Sequence, residues 1–157
     1  MIIRFAVPED FEAFSRLAGQ GLQLHVLNVP DIFQTADTPG GSREYFREYL
    51  ANPSSAVFVA EEDGHMVGYV KVATKDAPNF PIFLPKRILF VSDIEVDKKY
   101  ARSGIGRALM EKATEWGKAK NCFELQLDVH AFNEVAQSFY RKLGFEVIVQ
   151  RLAKKID

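Results

Sequence analysis

The alternation of apolar and polar positions divides the first half of the chain into short elements. Residues 2–6 fit a strand, and apolar positions spaced three to four residues apart then predict a helix. Residues 25–41 carry two prolines and two glycines without a regular period, so we expect a surface segment able to line a cleft. A second helix should follow Ser42, which can cap it, and residues 56–60 and 66–72 should form a hairpin.

The second half is organised around a strand that ends in a glycine-bearing turn and then opens a helix. Residues 88–96 are rich in branched and aromatic side chains, as in a strand covered on both faces. A helical apolar spacing follows the turn, and residues 123–129 alternate with a period of two, which predicts a further strand. Because the intervening helix is short, the two strands should be parallel.

Two more segments complete the predicted fold. Residues 74–86 hold three prolines, which indicates a long loop. A fourth helix should end at Gly144, and residues 145–149 should begin a final strand. The pattern therefore predicts an α+β (mixed α/β) protein with about four helices and a mostly antiparallel sheet of six or seven strands, including one parallel strand-helix-strand unit. We expect a single domain spanning residues 1–157.

Composition narrows the classes of protein to consider. The chain is 47% hydrophobic and 26% charged, and its formal net charge of -1 gives no reason to expect nucleic acid or an acidic membrane as a partner. A single cysteine, Cys122, excludes an intramolecular disulfide and fits a reducing compartment. The N-terminus lacks a secretory pattern and no apolar run approaches bilayer length, so we expect a cytoplasmic protein, as a monomer or homodimer.

The glycine-bearing turn is the main candidate for a binding site. Gly104 and Gly106 lie at a predicted helix N-terminus, where free backbone N–H groups and the positive end of the helix dipole bind anions. Between residues 98 and 120, seven basic side chains oppose two acidic ones, an excess of five. A solvated helix face explains the later lysines equally well. We expect a phosphate at the turn.

Three glycine motifs compete as explanations of this turn. A P-loop requires Gly, four residues and then Gly-Lys-Ser/Thr, and the chain contains no such run. A dinucleotide fingerprint fits Gly104, Gly106 and an acid at Asp128, but its third small residue falls at Leu109. The third explanation is a loop that binds the pyrophosphate of coenzyme A.

The run from Asp93 to Leu109 resembles the coenzyme-binding motif of the GNAT superfamily of N-acetyltransferases. The run from Asn133 to Phe145 resembles the second signature of that superfamily, and the order of elements fits its fold along the whole chain. The resemblance implies acetyl-coenzyme A as cosubstrate, no metal, and transfer of the acetyl group to a primary amine of a small molecule, peptide or protein. One departure is Ala101, where the family usually has Gln or Arg.

The resemblance also implies which residues form the site. Backbone amides of the turn should hold the pyrophosphate, amides at the end of the strand should pair with the pantetheine arm, and Asn133 should bind that arm or cap the fourth helix. The implied coenzyme-binding residues are Ile94, Val96, Arg102, Ser103, Gly104, Ile105, Gly106, Arg107, Asn133 and Tyr140. Tyr140 matches the tyrosine that family members commonly use as general acid, and a core aromatic is its alternative role.

The acceptor amine must lose a proton before it attacks. A lysine-like amine of pKa near 10.4 is only roughly 1 part in 2,500 deprotonated at pH 7. Candidates for the base are Asp128 and Glu95, with Asp93 and His130 behind them, all near convergent strand ends. A solvent-exposed strand end for Asp128 and an ion pair with Lys98 for Glu95 remain open as alternatives.

Two other functions remain open at this point. A GNAT-like module that binds acyl-coenzyme A without transferring it would keep the glycine turn and need no acid or base. A nucleotide-dependent oxidoreductase is disfavoured by Leu109. Release of free thiol from acetyl-coenzyme A and stabilisation by coenzyme A rather than NAD separate these functions from an acetyltransferase. The acceptor should contact residues 25–41 and 75–86.

Overall fold

The computed structural model describes residues 1–156, in which one sheet of five strands is flanked by helices on both faces. The strands, in their spatial order, are β1 (Ile2–Phe5), β2 (Ser55–Glu62), β3 (His65–Asp76), β4 (Arg87–Val96) and β5 (Leu125–Leu127). The α-helices are α1 (Phe11–Asn28), α2 (Arg43–Ala51), α3 (Ile105–Ala119) and α4 (Glu134–Lys142). Neighbouring strands are antiparallel, except that β4 and β5 are parallel.

Two apolar clusters cover the two faces of the sheet. The α3-side cluster includes Phe58 of β2 and Leu109 of α3, whereas the α1-side cluster includes Val59 of β2 with Phe14 and Tyr69. Because alternate residues of β2 enter opposite clusters, this strand is buried continuously from Ser55 to Ala60. No helix within residues 1–156 combines the length and apolar character that crossing a bilayer requires.

Most of the predicted elements are confirmed. The side chain of Ser42 caps α2, accepting a hydrogen bond of 3.1 Å from the backbone N–H of Tyr45. Helix α1 runs four residues into the segment predicted as irregular and ends at Asn28. The predicted strand at residues 123–129 is reduced to β5, with three residues, and its parallel pairing with β4 is confirmed.

The predicted final strand is wrong, and the sheet has five strands rather than six or seven. Residues 145–156 form no helix or strand, and the side chains of Val147 and Val149 are 80% and 76% exposed. Their sequence has the branched composition of a strand, but strand preference depends on a neighbouring strand and on burial. Residues 146–156 have neither.

A bulge in β4 decides which side chains point to which face. Lys71 of β3 lies opposite Asp93 and Val72 lies opposite Val91, so Ser92 is the extra, unpaired residue. Before the bulge, Val91 belongs to the α3-side cluster; after it, Ile94 and Val96 pack against that cluster. Asp93 and Glu95 therefore point to the α1 side of the sheet.

Candidate active site

Two carboxylates, Asp93 and Glu95, lie side by side on the α1 face at the end of β4. Their partners across the sheet are Lys71 and Tyr69, respectively, which share this face. Tyr69 is completely buried, and its hydroxyl donates a hydrogen bond to Oδ2 of Asp93. Burial, the charge of Asp93 and that hydrogen bond raise the pKa of Tyr69, so the phenol stays protonated and fixes the orientation of Asp93.

The environment of Glu95 makes its carboxyl a proton acceptor that titrates in the neutral to mildly alkaline range. Burial raises its pKa to about 8, the charge of Asp93 acts in the same direction, and Lys98 acts against them. Burial also raises the pKa of Asp93, opposed by the hydrogen bond from Tyr69 and by neighbouring positive groups. Glu95 and Lys98 are too far apart to form the salt bridge considered from the sequence, but the charge of Lys98 still lowers the pKa of Glu95.

Tyr140 lies on α4 close enough to these carboxylates to be influenced by both of them. Burial, together with the charges of Asp93 and Glu95, raises its pKa to about 12. Its ring packs against Phe139 and Phe145, with centroids 5.3 and 5.6 Å away. Tyr140 is therefore a protonated phenol at neutral pH, held by aromatic contacts beside a carboxyl group of raised pKa.

Strands β4 and β5 separate just before this pair of groups. They are paired only from Leu89 to Val91 on the side of β4. The N–H of Asp97 points towards β3, where it donates a hydrogen bond of 2.8 Å to the carbonyl of Val67. Because successive N–H groups of a strand point in opposite directions, those of Val96 and Ile94 point away from β3. Within residues 1–156, that side has no strand beyond Leu127, and an extended ligand can therefore pair with these amides.

The glycine-bearing turn presents free backbone N–H groups. Gly104 caps α3 in a left-handed conformation, with φ of +87°, and no side chain accepts from the first turn. The first backbone hydrogen bond of the helix runs from Ala108 to Gly104, at 3.1 Å, so the three amides before Ala108 have no partner in the helix. The hydroxyl of Ser103 donates to the carbonyl of Tyr100 at 2.5 Å and steadies the turn, while Arg102 and Arg107 are exposed.

The two glycines of the turn are required for different reasons. A side chain at Gly104 would meet no atom within 4 Å, so its positive φ is what favours glycine. A Cβ atom at Gly106 would lie 3.1 Å from Cζ of Phe139. Gly106 thus allows α4, which carries Tyr140, to pack closely on α3. The sequence interpretation attributed both glycines to the approach of an anion and did not foresee this contact.

The remaining predicted residues lie around this centre. The side chain of Asn133 accepts a hydrogen bond of 3.1 Å from the N–H of Ala136 and therefore caps α4. Asp128 follows β5 by one residue and is exposed. Among the predicted catalytic residues, the structure brings Glu95 and Tyr140 together, whereas nothing in their surroundings couples Asp128 to either.

Four aromatic rings join the irregular segment after α1 to the loop after β5. His25 contacts Phe33, His130 and Phe132, with ring centroids 5.2 to 5.4 Å apart. Nδ1 of His25 is 3.0 Å from the carbonyl of Gly21; since a carbonyl only accepts, this nitrogen carries a hydrogen. Positive charge on His25 lowers the pKa of Asp93, so these rings stand beside the carboxylates.

Sequence reasoning missed two features of this centre. It gave no role to Tyr69, which looks like an ordinary core aromatic in a buried strand. It also missed the bulge, although the sequence of β4 contains a sign of it. The polar residues Ser92 and Asp93 are adjacent, which breaks the strict alternation of polar and apolar residues expected of a regular strand. That interruption was the available signal.

Comparison with known families identifies the chain. Residues 26–145 match the Acetyltransferase (GNAT) family, and the chain belongs to it. The chain is 34% identical over 109 residues to an N-alpha-acetyltransferase of Sulfurisphaera tokodaii, covering 66% of this chain and 64% of that relative. It thus spans less than two thirds of that relative. It is 26% identical over 148 residues to the uncharacterized N-acetyltransferase YhfO of Bacillus subtilis, covering 93% of this chain and 90% of YhfO.

Solved structures agree with this assignment. A mutant of the BH1408 protein from Bacillus halodurans superposes with a TM-score of 0.95 at 29% identity, over 99% of both chains. Aminoglycoside N-acetyltransferase AAC(6')-Iy, in complex with CoA, superposes with a TM-score of 0.75 at 22% identity, over 99% of this chain and 93% of that chain. Likeness at 22% identity shows the fold alone. The GNAT resemblance and the fold class predicted from the two motifs are confirmed.

Proposed function

We propose that this protein transfers an acetyl group from acetyl-coenzyme A to a primary amine by direct attack. A single observation carries the proposal: at the point where β4 and β5 separate, the carboxyl group of Glu95, whose pKa burial raises to about 8, lies near enough to Tyr140 for its charge to raise the pKa of that phenol. A carboxylate able to accept a proton and a phenol able to give one are the two groups that acetyl transfer to an amine requires.

The coenzyme site has three parts on this chain. Backbone amides from Arg102 to Arg107 receive the pyrophosphate at the N-terminus of α3, where those of Ile105, Gly106 and Arg107 have no partner in the helix and the dipole of that helix lies behind them. The amides of Ile94 and Val96 pair with the pantetheine arm along the open side of β4. Asn133 caps α4 through its side-chain oxygen and keeps its amide NH₂ for the same arm. AAC(6')-Iy, which has the same fold, also binds CoA.

The reacting groups then divide the proton transfers between them. The bound thioester supplies an acetyl group activated towards amines. Glu95 takes a proton from the acceptor nitrogen as this nitrogen bonds to the acetyl carbon. Tyr140 gives its proton to sulfur as the carbon–sulfur bond breaks, so the products are the acetamide and the free thiol of coenzyme A. The proton on Glu95 and the phenolate of Tyr140 return to their starting states by exchange with water.

The acceptor enters on the α1 side of the sheet, where Asp93 and Glu95 point. The rings of His25, Phe33 and His130 stand at this edge and give the acceptor an apolar wall beside the carboxylates. Asp93, held by Tyr69, adds negative charge that attracts a cationic amine before it is deprotonated. Asp128, being exposed, remains the alternative base.

An acceptor screen tests the function directly. Polyamines, amino acids, aminoglycosides and peptide N-termini are offered with acetyl-coenzyme A, and thiol release is followed for the wild-type protein and for Tyr140→Phe. We expect at least one acceptor class to support turnover that the variant largely loses. Stabilisation by coenzyme A without thiol release from any amine would identify a binding module instead. If coenzyme A does not stabilise the protein, the proposed coenzyme site is wrong.

A further inference from the structure

The carboxyl group of Glu95 occupies space that a side chain at Gly21 would fill. Gly21 lies inside α1, and a Cβ atom placed on it would be 1.7 Å from Oε1 and 2.4 Å from Cδ of Glu95. Neither distance is compatible with two non-bonded atoms. The bare backbone of α1 at Gly21 therefore forms a notch, and the carboxyl group of Glu95 sits in it.

A second glycine in the same helix shows that the notch is specific to position 21. Glycine is a poorer residue than alanine in a helix interior, so each needs a reason to be there. A Cβ atom at Gly19 would meet only Cγ of Pro39, at 3.6 Å, which is an ordinary contact. At Gly19 an alanine fits; at Gly21 it collides with Glu95.

Helix α1 is held to the sheet over the turn that precedes the notch, which opposes a movement of the helix away from Glu95. Arg16 donates one hydrogen bond to Oδ2 of Asp97, at 2.8 Å, and another to the carbonyl of Met66, at 3.2 Å. The side-chain oxygen of Gln20 accepts a hydrogen bond of 3.4 Å from the N–H of Lys98. Leu17 of the same helix is fully buried.

The side chain of Glu95, in contrast, is not fixed by hydrogen bonds. Within residues 1–156 its carboxyl oxygens receive no hydrogen bond from another side chain or from the backbone. Only the shape of the notch and the surrounding burial decide where the carboxyl group rests. When an added methyl group competes for the same space, the flexible side chain gives way and the anchored helix stays.

We propose that Gly21 is a positioning residue for the acetyl transfer: by lacking a side chain it holds the carboxyl group of Glu95 in the buried orientation in which that group accepts the proton of the acceptor amine. This inference rests on the proposed function of Glu95 as base. In Gly21→Ala, the added methyl group displaces the carboxyl group of Glu95 towards solvent, where water hydrates its ionised form. Its pKa then falls from about 8 towards the ordinary value of 4.5.

The first experiment needs no acceptor. The side-chain carboxyl carbons of glutamate are labelled with ¹³C, and the titration of Glu95 is followed by NMR in the wild-type protein, Gly21→Ala and the matched control Gly19→Ala, with Glu95→Gln giving the signal assignment. We expect the pKa of Glu95 to fall by about one unit or more in Gly21→Ala, and to stay within about 0.3 units in Gly19→Ala. An unchanged pKa in Gly21→Ala would overturn the notch, whatever the activity of the protein.

The second experiment connects the notch to catalysis. With a working acceptor, and at a pH above the inflection near 8 where Glu95 is deprotonated in both proteins, kcat of Gly21→Ala should fall about tenfold or more while the affinity for coenzyme A stays within about threefold, and Gly19→Ala should match the wild type. Added to Glu95→Gln, the Gly21→Ala change should cause no further loss, because Gly21 acts only through Glu95. A further loss in the double variant would mean that Gly21 has a structural role, and would overturn the proposal.

The two experiments separate the two hypotheses. If the pKa of Glu95 falls in Gly21→Ala but kcat does not, the notch exists and Glu95 is not the base. If the pKa is unchanged while Glu95→Gln is inactive, Glu95 is the base and Gly21 does not position it. Either result overturns the proposal and names the step that failed.

Discussion

Phe139 of α4 and Gly106 of α3 are in contact so close that a Cβ atom at position 106 would lie 3.1 Å from Cζ of the phenylalanine. Gly106→Ala should therefore push α4 outwards and move Tyr140 with it. Overpacking costs about 1–3 kcal/mol, and the better helix propensity of alanine returns about 1 kcal/mol. We expect Tm to fall by roughly 2–4 °C per kcal/mol lost, and kcat to fall with it.

Differential scanning fluorimetry and steady-state kinetics measure these two effects of Gly106→Ala. The control is Glu111→Ala, an exposed position on the same helix that should leave Tm and kcat unchanged. Wild-type values in Gly106→Ala would mean that α4 adapts without moving its tyrosine.

A pair of left-handed glycines allows backbone strain to be separated from ligand binding. Gly104 in the turn and Gly64 in the β2–β3 hairpin have φ values of +87° and +75°, and neither has an atom within 4 Å of an added Cβ. Alanine at either position costs about 1–2 kcal/mol in strain. Gly104→Ala should also disturb the amides that receive the pyrophosphate and weaken coenzyme A binding by about tenfold, or about 1.4 kcal/mol.

Isothermal titration calorimetry with coenzyme A distinguishes the two variants. Gly64→Ala should lose similar stability and bind coenzyme A like the wild type. If both variants bind coenzyme A with the same affinity, the pyrophosphate does not bind at the turn.

The fold was largely predictable from periodicity, and the centre of the site was predictable only in part. The motif around Gly104 and the helix of Tyr140 were visible because they are local runs of residues. The orientation of Glu95 was not, because it depends on pairing between β3 and β4 and on the extra residue Ser92. The notch at Gly21 joins residues 74 positions apart, and a sequence pattern carries no distance between them.

Tyr140→Phe tests the general acid. The change removes one oxygen and keeps the ring that contacts Phe139 and Phe145. General-acid catalysis contributes about a hundred- to ten-thousand-fold, and we expect kcat to fall into the lower part of this range, because water can partly replace the phenol. Affinity for coenzyme A should change by less than about threefold.

The kinetics of Tyr140→Phe are compared with those of Tyr49→Phe. Tyr49 donates its hydroxyl to the carbonyl of Val72, at 2.7 Å, so its loss affects stability rather than the reacting groups. If Tyr140→Phe is folded by circular dichroism and keeps the wild-type kcat while chemistry limits the rate, Tyr140 is a packing residue.

The raised pKa of Glu95 also predicts how stability depends on pH. In the unfolded chain this group titrates near 4.5, and in the folded protein near 8. Its contribution to stability is complete below pH 4.5 and is lost as pH rises towards 8, because only the unfolded state gains from ionisation in that window. Glu95→Gln cannot ionise, so its Tm relative to the wild type should be higher at pH 8 than at pH 5.

Thermal unfolding at the two pH values gives this comparison. A relative gain of about 3 °C would correspond to roughly 1 kcal/mol, a small part of what the shift allows. Glu111→Gln, at an exposed position, should show no such difference. The same Tm difference between Glu95→Gln and the wild type at both pH values would contradict a raised pKa.

The rate should depend on the same pair of carboxylates. Since a base must be deprotonated, kcat should rise with pH through an apparent pKa near 8 that belongs to Asp93 and Glu95 together. Asp93→Asn removes a negative charge that raises the pKa of Glu95, so the inflection should move to lower pH. Glu95→Gln should abolish this inflection. A pH profile that both variants leave unchanged would assign the base to another residue, with Asp128 as the next to test.

The bulge at Ser92 means that the way β4 pairs with β3, and not only the identity of its residues, decides which side chains form the active site. If the same ten residues alternated from Arg87 without a bulge, the two acids would turn towards the apolar cluster of α3, and Ile94 and Val96 would turn towards the acceptor. The side chain of Ser92 is exposed, so replacing it should not change which residues face either side of the sheet. The side chain at the bulge can therefore vary, whereas an unbulged pairing of the same ten residues would place the two acids on the apolar side of the strand.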